Sequence, residues 1–241
     1  MFALSKGRYA ARFAASGADL CAAQALRGRS FGARALDADR FDSLCRHVLI
    51  EEAGRLVCCF RILPLRDGSH IGESYSAQFY DLSALAGFPG RMAEVGRFCI
   101  DAGCRDPDIL RVAWGALTRL VDDEGIEMLF GCSSFPGTDW ERHSNAFALL
   151  AQGHLAPPGW APGIKAPKVV PYARHLAGLP GDQKRALREM PPLLRSYLLM
   201  GGWVSDHAVV DADLGTLHVF TGLEVRAIPE ARARALRLVA G

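Results

Sequence analysis

Apolar and polar positions alternate from Tyr9 to Phe13, the two-residue period of a half-buried strand. From Ala18 to Arg29 the period lengthens, with Leu20, Cys21, Ala23, Ala25 and Leu26 recurring at helical spacing. His47 to Glu51 and Arg55 to Leu63 read as two strands joined by a tight turn at Ala53-Gly54. Ser74 to Tyr80 and Ala93 to Ile100 read as further strands. The clearest helix follows. Asp106 suits an N-cap, Pro107 suits the first helical position, and Leu110, Ala113, Trp114, Leu117, Leu120 and Val121 share one face. Glu127 to Ser133 predicts a strand and Glu141 to Gln152 another helix. A helix, then antiparallel strands, then strand-helix-strand-helix predicts an α/β or α+β sandwich.

The pattern breaks between Ala156 and Pro171, where prolines and glycines predict a connector or lid. Helices around Gln183 to Glu189 and Pro192 to Met200 follow, then a hairpin-like region from Trp203 to Ile228. The expected division is a core over residues 1–155 and a C-terminal extension, 156–241, packed on it.

Composition narrows the class. Half of the 241 residues are apolar, which predicts a globular chain with a real core. No apolar run approaches the roughly 20 residues of a membrane span, and the N-terminus lacks a signal-peptide core, so the expectation is a cytoplasmic protein. Seven cysteines without a Cys-x-x-Cys pair argue against a zinc site or a disulfide framework, and no metal site is expected. Net charge is +2, but residues 1–40 hold seven Lys or Arg against three Asp or Glu, and residues 161–200 hold seven against two. Two basic segments suit an acidic partner. No nucleic-acid motif appears.

The candidate chemistry lies where charge interrupts apolar strands. Arg61 sits inside Cys59-Phe60-Arg61-Ile62-Leu63, and Glu94 and Arg97 stand three apart in Glu94-Val95-Gly96-Arg97-Phe98-Cys99-Ile100. Buried charges must be paired, and Asp39 and Asp42 are available carboxylates. One outcome is an ion-pair network that only holds the fold. The other is a charged cleft. A regular strand would place Glu94 and Arg97 on opposite faces, so sharing a cleft requires a bulge near Gly96. Backbone N–H groups at such a bulge would suit an oxyanion. His143, on a predicted helix, reads as a surface or capping residue.

The order Arg27, Phe31, Asp39, Asp42, Arg61, Glu94, Arg97 resembles the acyl-homoserine-lactone synthases. A tryptophan expected after the Phe is replaced by Arg34, Ala35 and Leu36. A resemblance over more of the chain is to the bacterial ornithine N-acyltransferases of ornithine-lipid synthesis. It rests on Ser74 to Asp81, Glu94 to Phe98, Ile109 to Leu117, Gly131 to Asp139, His154 to Pro157 and Pro191 to Leu198. The usual Phe-Asn-Thr-Thr-Asp run after Asp211 is absent, and Ala212 to His218 stand there.

This resemblance implies a GNAT-like α/β (α+β) acyltransferase fold, a mixed central sheet flanked by helices, with a C-terminal extension. It implies transfer of a 3-hydroxyacyl group from the phosphopantetheine of acyl carrier protein to the α-amine of L-ornithine, without a permanently bound cofactor. Glu94, through a water, and Arg97 are the catalytic candidates. Arg27, Phe31, Asp39, Asp42, Arg61, Tyr75 and Ser134 are the substrate-binding candidates. Phe98, Cys99, Ile100 and Arg105 are those for the acyl donor. The loop Asp101 to Asp108 has one glycine and three aspartates, poor company for a pyrophosphate, which favours a carrier-protein donor. Arg29, Arg34, Lys165, Lys168, Lys184, Arg185 and Arg188 are candidate docking cations. The basic helix near Gln183 makes peripheral contact with the inner membrane an expectation to test. The rival readings are an autoinducer synthase and a non-catalytic acyl-carrier binding protein.

Overall fold

A computed structural model describes residues 2–32, 36–179 and 181–241. The chain begins with β1 (Ala3–Lys6), β2 (Tyr9–Phe13), α1 (Gly17–Phe31), β3 (Arg46–Glu52), β4 (Arg55–Leu65), β5 (Tyr80–Asp81) and β6 (Arg91–Ile100). It continues with α2 (Pro107–Glu124), β7 (Ile126–Pro136), α3 (Ser144–Gly153), β8 (Gly163–Ile164), β9 (Val169–Val170), α4 (Tyr172–His175), α5 (Gln183–Glu189) and α6 (Pro192–Leu199). Strands β10 (Trp203–Val204), β11 (Ala208–Asp211) and β12 (Thr216–Glu224) and helix α7 (Glu230–Ala240) complete it. Among the described residues no helix is long and apolar enough to cross a membrane.

The chain divides into two compact units, each assembled from separated segments. Unit 1 comprises Met1–Pro64, Val95–Ile126 and Glu230–Gly241; unit 2 comprises Leu65–Glu94 and Glu127–Pro229. The division therefore falls elsewhere than at 155/156. Two pairings explain why. In unit 2, β12 runs antiparallel to β7 from Thr216↔Pro136 to Glu224↔Met128, so residues beyond 156 supply a long strand of that unit's sheet. In unit 1, α7 packs on α2 so closely that a Cβ on Gly115 would lie 2.7 Å from Val239 Cγ1. Arg237 closes the same contact on Asp122 at 2.8 Å.

Unit 1 orders its strands β1-β2-β3-β4-β6. The β3–β4 hairpin turns at Ala53 (φ 49) and Gly54 (φ 80), a pair in the left-handed region that matches strand twist. Ala23, Leu26, Leu49, Cys59 and Cys99 form a buried core between α1 and the strands. Helix α2 is built as its sequence predicts, with Asp106 accepting from the Asp108 N–H and Gly125 (φ 61) ending it. Unit 2 orders β7-β12-β11-β9, with β10 beside β12. Its core joins Phe135, Phe147, Leu150, Tyr172, Leu194, Leu217 and Val219.

Several expectations need correction. Ser74 to Tyr80 is not a strand: 3-10 turns occupy Gly68–Glu73 and Ser76–Gln78, leaving a two-residue strand at Tyr80–Asp81. Ser74 Oγ donates to the Ile71 carbonyl and accepts from the Ala77 N–H, a local alternative to a sheet ladder. The helix expected from Glu141 starts as a 3-10 turn at Trp140–His143 and becomes α-helical at Ser144. His143 is buried, with Nε2 2.9 Å from the Pro136 carbonyl. Strand β1 and helix α7 had no counterpart in the sequence reading.

Candidate active site

In unit 1 the buried face of α1 carries polar groups. Gln24 and Arg27 sit beside Ala23 and Leu26 on the stripe that faces the strands. Arg27 reaches Asp37 with Nε (2.7 Å) and Asp42 with Nη1 (2.7 Å). Arg61, from the apolar strand β4, forks onto Asp39 at 2.6 and 2.8 Å and touches Asp42 at 2.6 Å. Arg97 reaches Asp37 at 2.9 Å and Asp39 at 3.2 Å. Each carboxylate thus bridges two guanidiniums, and each guanidinium two carboxylates. The six groups close a ring of alternating, balanced charge. Gln24 donates to Asp42 at 2.9 Å. Arg97 lies over the Phe31 ring at 5.9 Å, and Arg61 over Phe41 at 5.8 Å.

The ring sets its own protonation. Burial pushes the Asp39 and Asp42 carboxyls up, but the Arg61 and Arg27 guanidiniums outweigh it and hold both below the usual carboxylate range. Burial holds His47 low; its Nε2 lies 3.0 Å from the Asp42 carbonyl. Arg27, Arg61 and Asp42 are buried at 1, 3 and 6% side-chain exposure. Arg97 and Asp39, at 12 and 22%, form the accessible edge.

The irregularity expected near Gly96 lies at Arg97. Arg97 has φ 52, a left-handed conformation inside β6, which breaks the strand's alternation. A Cβ on Gly96 would make only ordinary contact, 3.7 Å from Arg61 Nε, so crowding does not require glycine there. Beyond it Phe98 stacks on Phe60 at 5.4 Å, and buried Cys99 lies 3.5 Å from Cys59 Sγ. Ile100 is half-buried. Arg105 is exposed in the loop before α2. That loop's aspartates already take backbone donors: Asp101 accepts from Gly103 N–H and Asp106 from Asp108 N–H, both at 2.9 Å.

The seventh candidate, Glu94, is held in unit 2. Its carboxylate accepts from the Tyr75 N–H (2.7 Å), the Ser76 N–H (2.7 Å) and the Ser76 hydroxyl (2.5 Å). The 3-10 turn that replaces the expected strand aims these donors at one acceptor. Ser76 Oγ also lies 3.4 Å from Cys132 Sγ on β7. The same turn carries Phe79, 5.3 Å from Tyr75 and 5.0 Å, edge-on, from His218. Tyr80 OH donates to the His218 carbonyl at 2.8 Å and lies 3.0 Å from His218 Nδ1. His218 Nε2 is buried without a hydrogen-bond partner among the described residues. Burial lowers its pKa to about 4, against a smaller opposing effect of Asp211. Ser134 is exposed and stands opposite His218 in the β7–β12 register.

The structure therefore sorts the candidates into two clusters. Arg27, Phe31, Asp39, Asp42, Arg61 and Arg97 meet in unit 1; Glu94 and Tyr75 meet in unit 2. Sequence reasoning missed Asp37 and Gln24 in the first and Ser76, Cys132 and His218 in the second. Asp37 stands two residues before Asp39 and carried a signal of its own, as a third carboxylate for a third arginine. Arg34 lies outside the described residues. Among the described residues no group of three or more His, Cys, Asp or Glu is placed to hold a metal ion.

A family model described as an acetyltransferase (GNAT) domain matches residues 21–115. The chain is 33% identical over 202 residues to the L-ornithine N(alpha)-acyltransferase of Rhodobacter capsulatus, covering 81% of this chain and 77% of that one. It is 30% identical over 247 residues to the L-ornithine N(alpha)-acyltransferase of Brucella abortus, covering 92% and 86%. The solved structure of FeeM, an N-acyl amino acid synthase from uncultured soil microbes, matches 97% of each chain with a TM-score of 0.50 at 13% identity, a likeness of fold.

Proposed function

The chain belongs to the L-ornithine N(alpha)-acyltransferase family and is an acyltransferase, and we propose that it moves a 3-hydroxyacyl group from acyl carrier protein to the α-amine of L-ornithine. The observation that carries the chemistry is the anchored Glu94 carboxylate. Two backbone N–H groups and one hydroxyl fix it in place. A fixed, buried carboxylate is what proton removal from an attacking amine needs, directly or through one water. The amine nitrogen attacks the thioester carbonyl. The C–N bond forms, the C–S bond breaks, and the released phosphopantetheine thiolate takes up a proton.

Asp39 and Arg97, at the accessible edge of the ionic ring, are the members open to an ionic substrate group. Arg27, Arg61 and Asp42 hold them from beneath. Arg105 is exposed to meet the single phosphodiester of a pantetheine arm. The occupied N–H groups of the Asp101–Asp108 loop support a carrier-protein donor over one with a pyrophosphate. Exposed Lys184 and Arg188 on α5 offer cationic surface to an acidic carrier. The test is mass spectrometry of products after incubation with 3-hydroxyacyl carrier protein and a panel of amino acids. The expected product is N-acylornithine with its δ-amine free. No amide with ornithine, when active carrier is supplied, overturns the reading.

A further inference from the structure

Unit 2 buries one polar atom that the reaction above does not use. His218, on β12, is 2% exposed, and its Nε2 has no hydrogen-bond partner among the described residues. The other ring nitrogen is committed. The Tyr80 hydroxyl has one hydrogen and gives it to the His218 carbonyl at 2.8 Å. The hydrogen in the 3.0 Å contact between Tyr80 and Nδ1 is therefore the imidazole's. Burial lowers the pKa of the ring to about 4, so at neutral pH it carries that hydrogen alone. Nε2 is left as a bare acceptor, and a buried acceptor calls for a donor. The place is reachable. Ser134, opposite His218 in the β7–β12 register, is exposed, and Phe79, edge-on to the imidazole at 5.0 Å, is half-buried. Phe79 leads to Tyr75 at 5.3 Å, whose N–H holds Glu94. Cys132, two residues along β7 from Ser134 or about 7 Å, touches Ser76, which holds the same carboxylate. His218 is thus within reach of the first carbons of an acyl chain whose thioester faces Glu94.

We infer that His218 Nε2 accepts a hydrogen bond from the 3-hydroxyl of the acyl group and so sets the choice of donor. This rests on the acyl-transfer reading above and assigns a residue to the recognition of its donor. The chemistry of the atom selects the group. A bare, neutral acceptor suits a neutral donor. The ammonium of an amino acid would meet no counter-charge here, because the imidazole lies against the Phe79 and Tyr80 rings and the Asp211 carboxylate takes the Leu214 N–H at 3.0 Å. A 3-oxo group would set one acceptor against another. An unsubstituted chain would leave Nε2 desolvated without a partner. Tyr80 is a positioning residue: by taking the Nδ1 hydrogen it fixes which nitrogen is bare. His218 closes the stretch Ala212 to His218, in which this chain departs from the Phe-Asn-Thr-Thr-Asp run, so the recognition assigned to it belongs to this chain's own sequence.

The experiment gives the full chain ornithine and an equimolar mixture of 3-hydroxyacyl, 3-oxoacyl and unsubstituted acyl carrier proteins of one chain length. The N-acylornithines are counted by mass spectrometry. The wild type should form the 3-hydroxyacyl amide roughly tenfold or more faster than either of the others. His218→Asn, which keeps a side-chain donor for Tyr80 and removes Nε2, should bring the 3-hydroxy and unsubstituted rates to within about threefold of each other. Its rate with the unsubstituted donor should stay within about threefold of the wild type. A loss shared equally by all donors is what a structural role would give, and it overturns the inference. Tyr80→Phe, of nearly the same volume, should leave the tautomer unfixed and narrow the 3-hydroxy to 3-oxo preference by about threefold or more. Should His218→Asn not fold, an unchanged preference in Tyr80→Phe overturns the inference. A folded His218→Asn with the wild-type ratio, or a wild type that does not distinguish the donors, overturns it and leaves acyl transfer standing. No amide from any donor overturns the acyl-transfer reading and the inference with it.

Discussion

Each unit buries carboxylates, and the two solve the problem differently. In unit 1 the partners of Asp37, Asp39 and Asp42 are guanidiniums, closed into a ring in which every charge is matched twice. In unit 2 Glu94 takes backbone N–H groups and a hydroxyl that itself touches a thiol. The first arrangement locks protons out at Asp39 and Asp42, whose carboxyls fixed guanidiniums hold low. The second offers a route along which a proton can move. Charge in an apolar strand therefore marks two kinds of place: framework where cations answer the carboxylate, chemistry where mobile hydrogens do.

The comparison breaks first at the ring. Asp42→Ala leaves Arg27 and Arg61 buried with a missing partner, and the expected loss is about 3–5 kcal/mol in urea unfolding. A wild-type midpoint would show that the ring is not framework. Next comes acid. His218 titrates near 4 when folded and near 6.5 when unfolded, so the unfolded chain binds the extra proton between those values. Its contribution is complete above about pH 6.5 and is lost as pH falls toward 4, to about 3 kcal/mol. His218→Asn, which keeps a polar atom for Tyr80, should flatten that part of the stability profile. An unchanged slope would remove His218 as its source.

The smallest effect contrasts two left-handed residues. Ala53 sits in an exposed hairpin turn, and Ala53→Gly should stabilise by about 1 kcal/mol or less. Arg97→Gly should destabilise instead, because relief of the same strain is outweighed by two lost contacts to the ring. Thermal melts of the two variants moving in the same direction would contradict this.

Much of the fold was legible. Helix α2 carried its cap, its proline and its apolar stripe in the open, and the β3–β4 hairpin announced its turn. The ring was half legible: arginines inside strands demand acidic partners, but the sequence does not say which aspartate bridges which pair. Helix α1 hid its role because its buried face holds Gln24 and Arg27, positions that periodicity scores as exposed. The Ser74 to Tyr80 segment misled because its aromatic residues mimic a strand while its serines bond locally. Ser76 and Cys132 are 56 positions apart, and only folding brings them into contact. Two compact units built from interleaved segments also escape any reading that cuts the chain once.

The central claim is that Glu94, rather than the ring, is the working carboxylate. Its most direct test is the rate of N-acylornithine formation by Glu94→Gln, normalised to folded protein. The expected result is a fall of about 10²–10⁴-fold in kcat/KM with a melt close to the wild type. A wild-type rate from folded Glu94→Gln would contradict it.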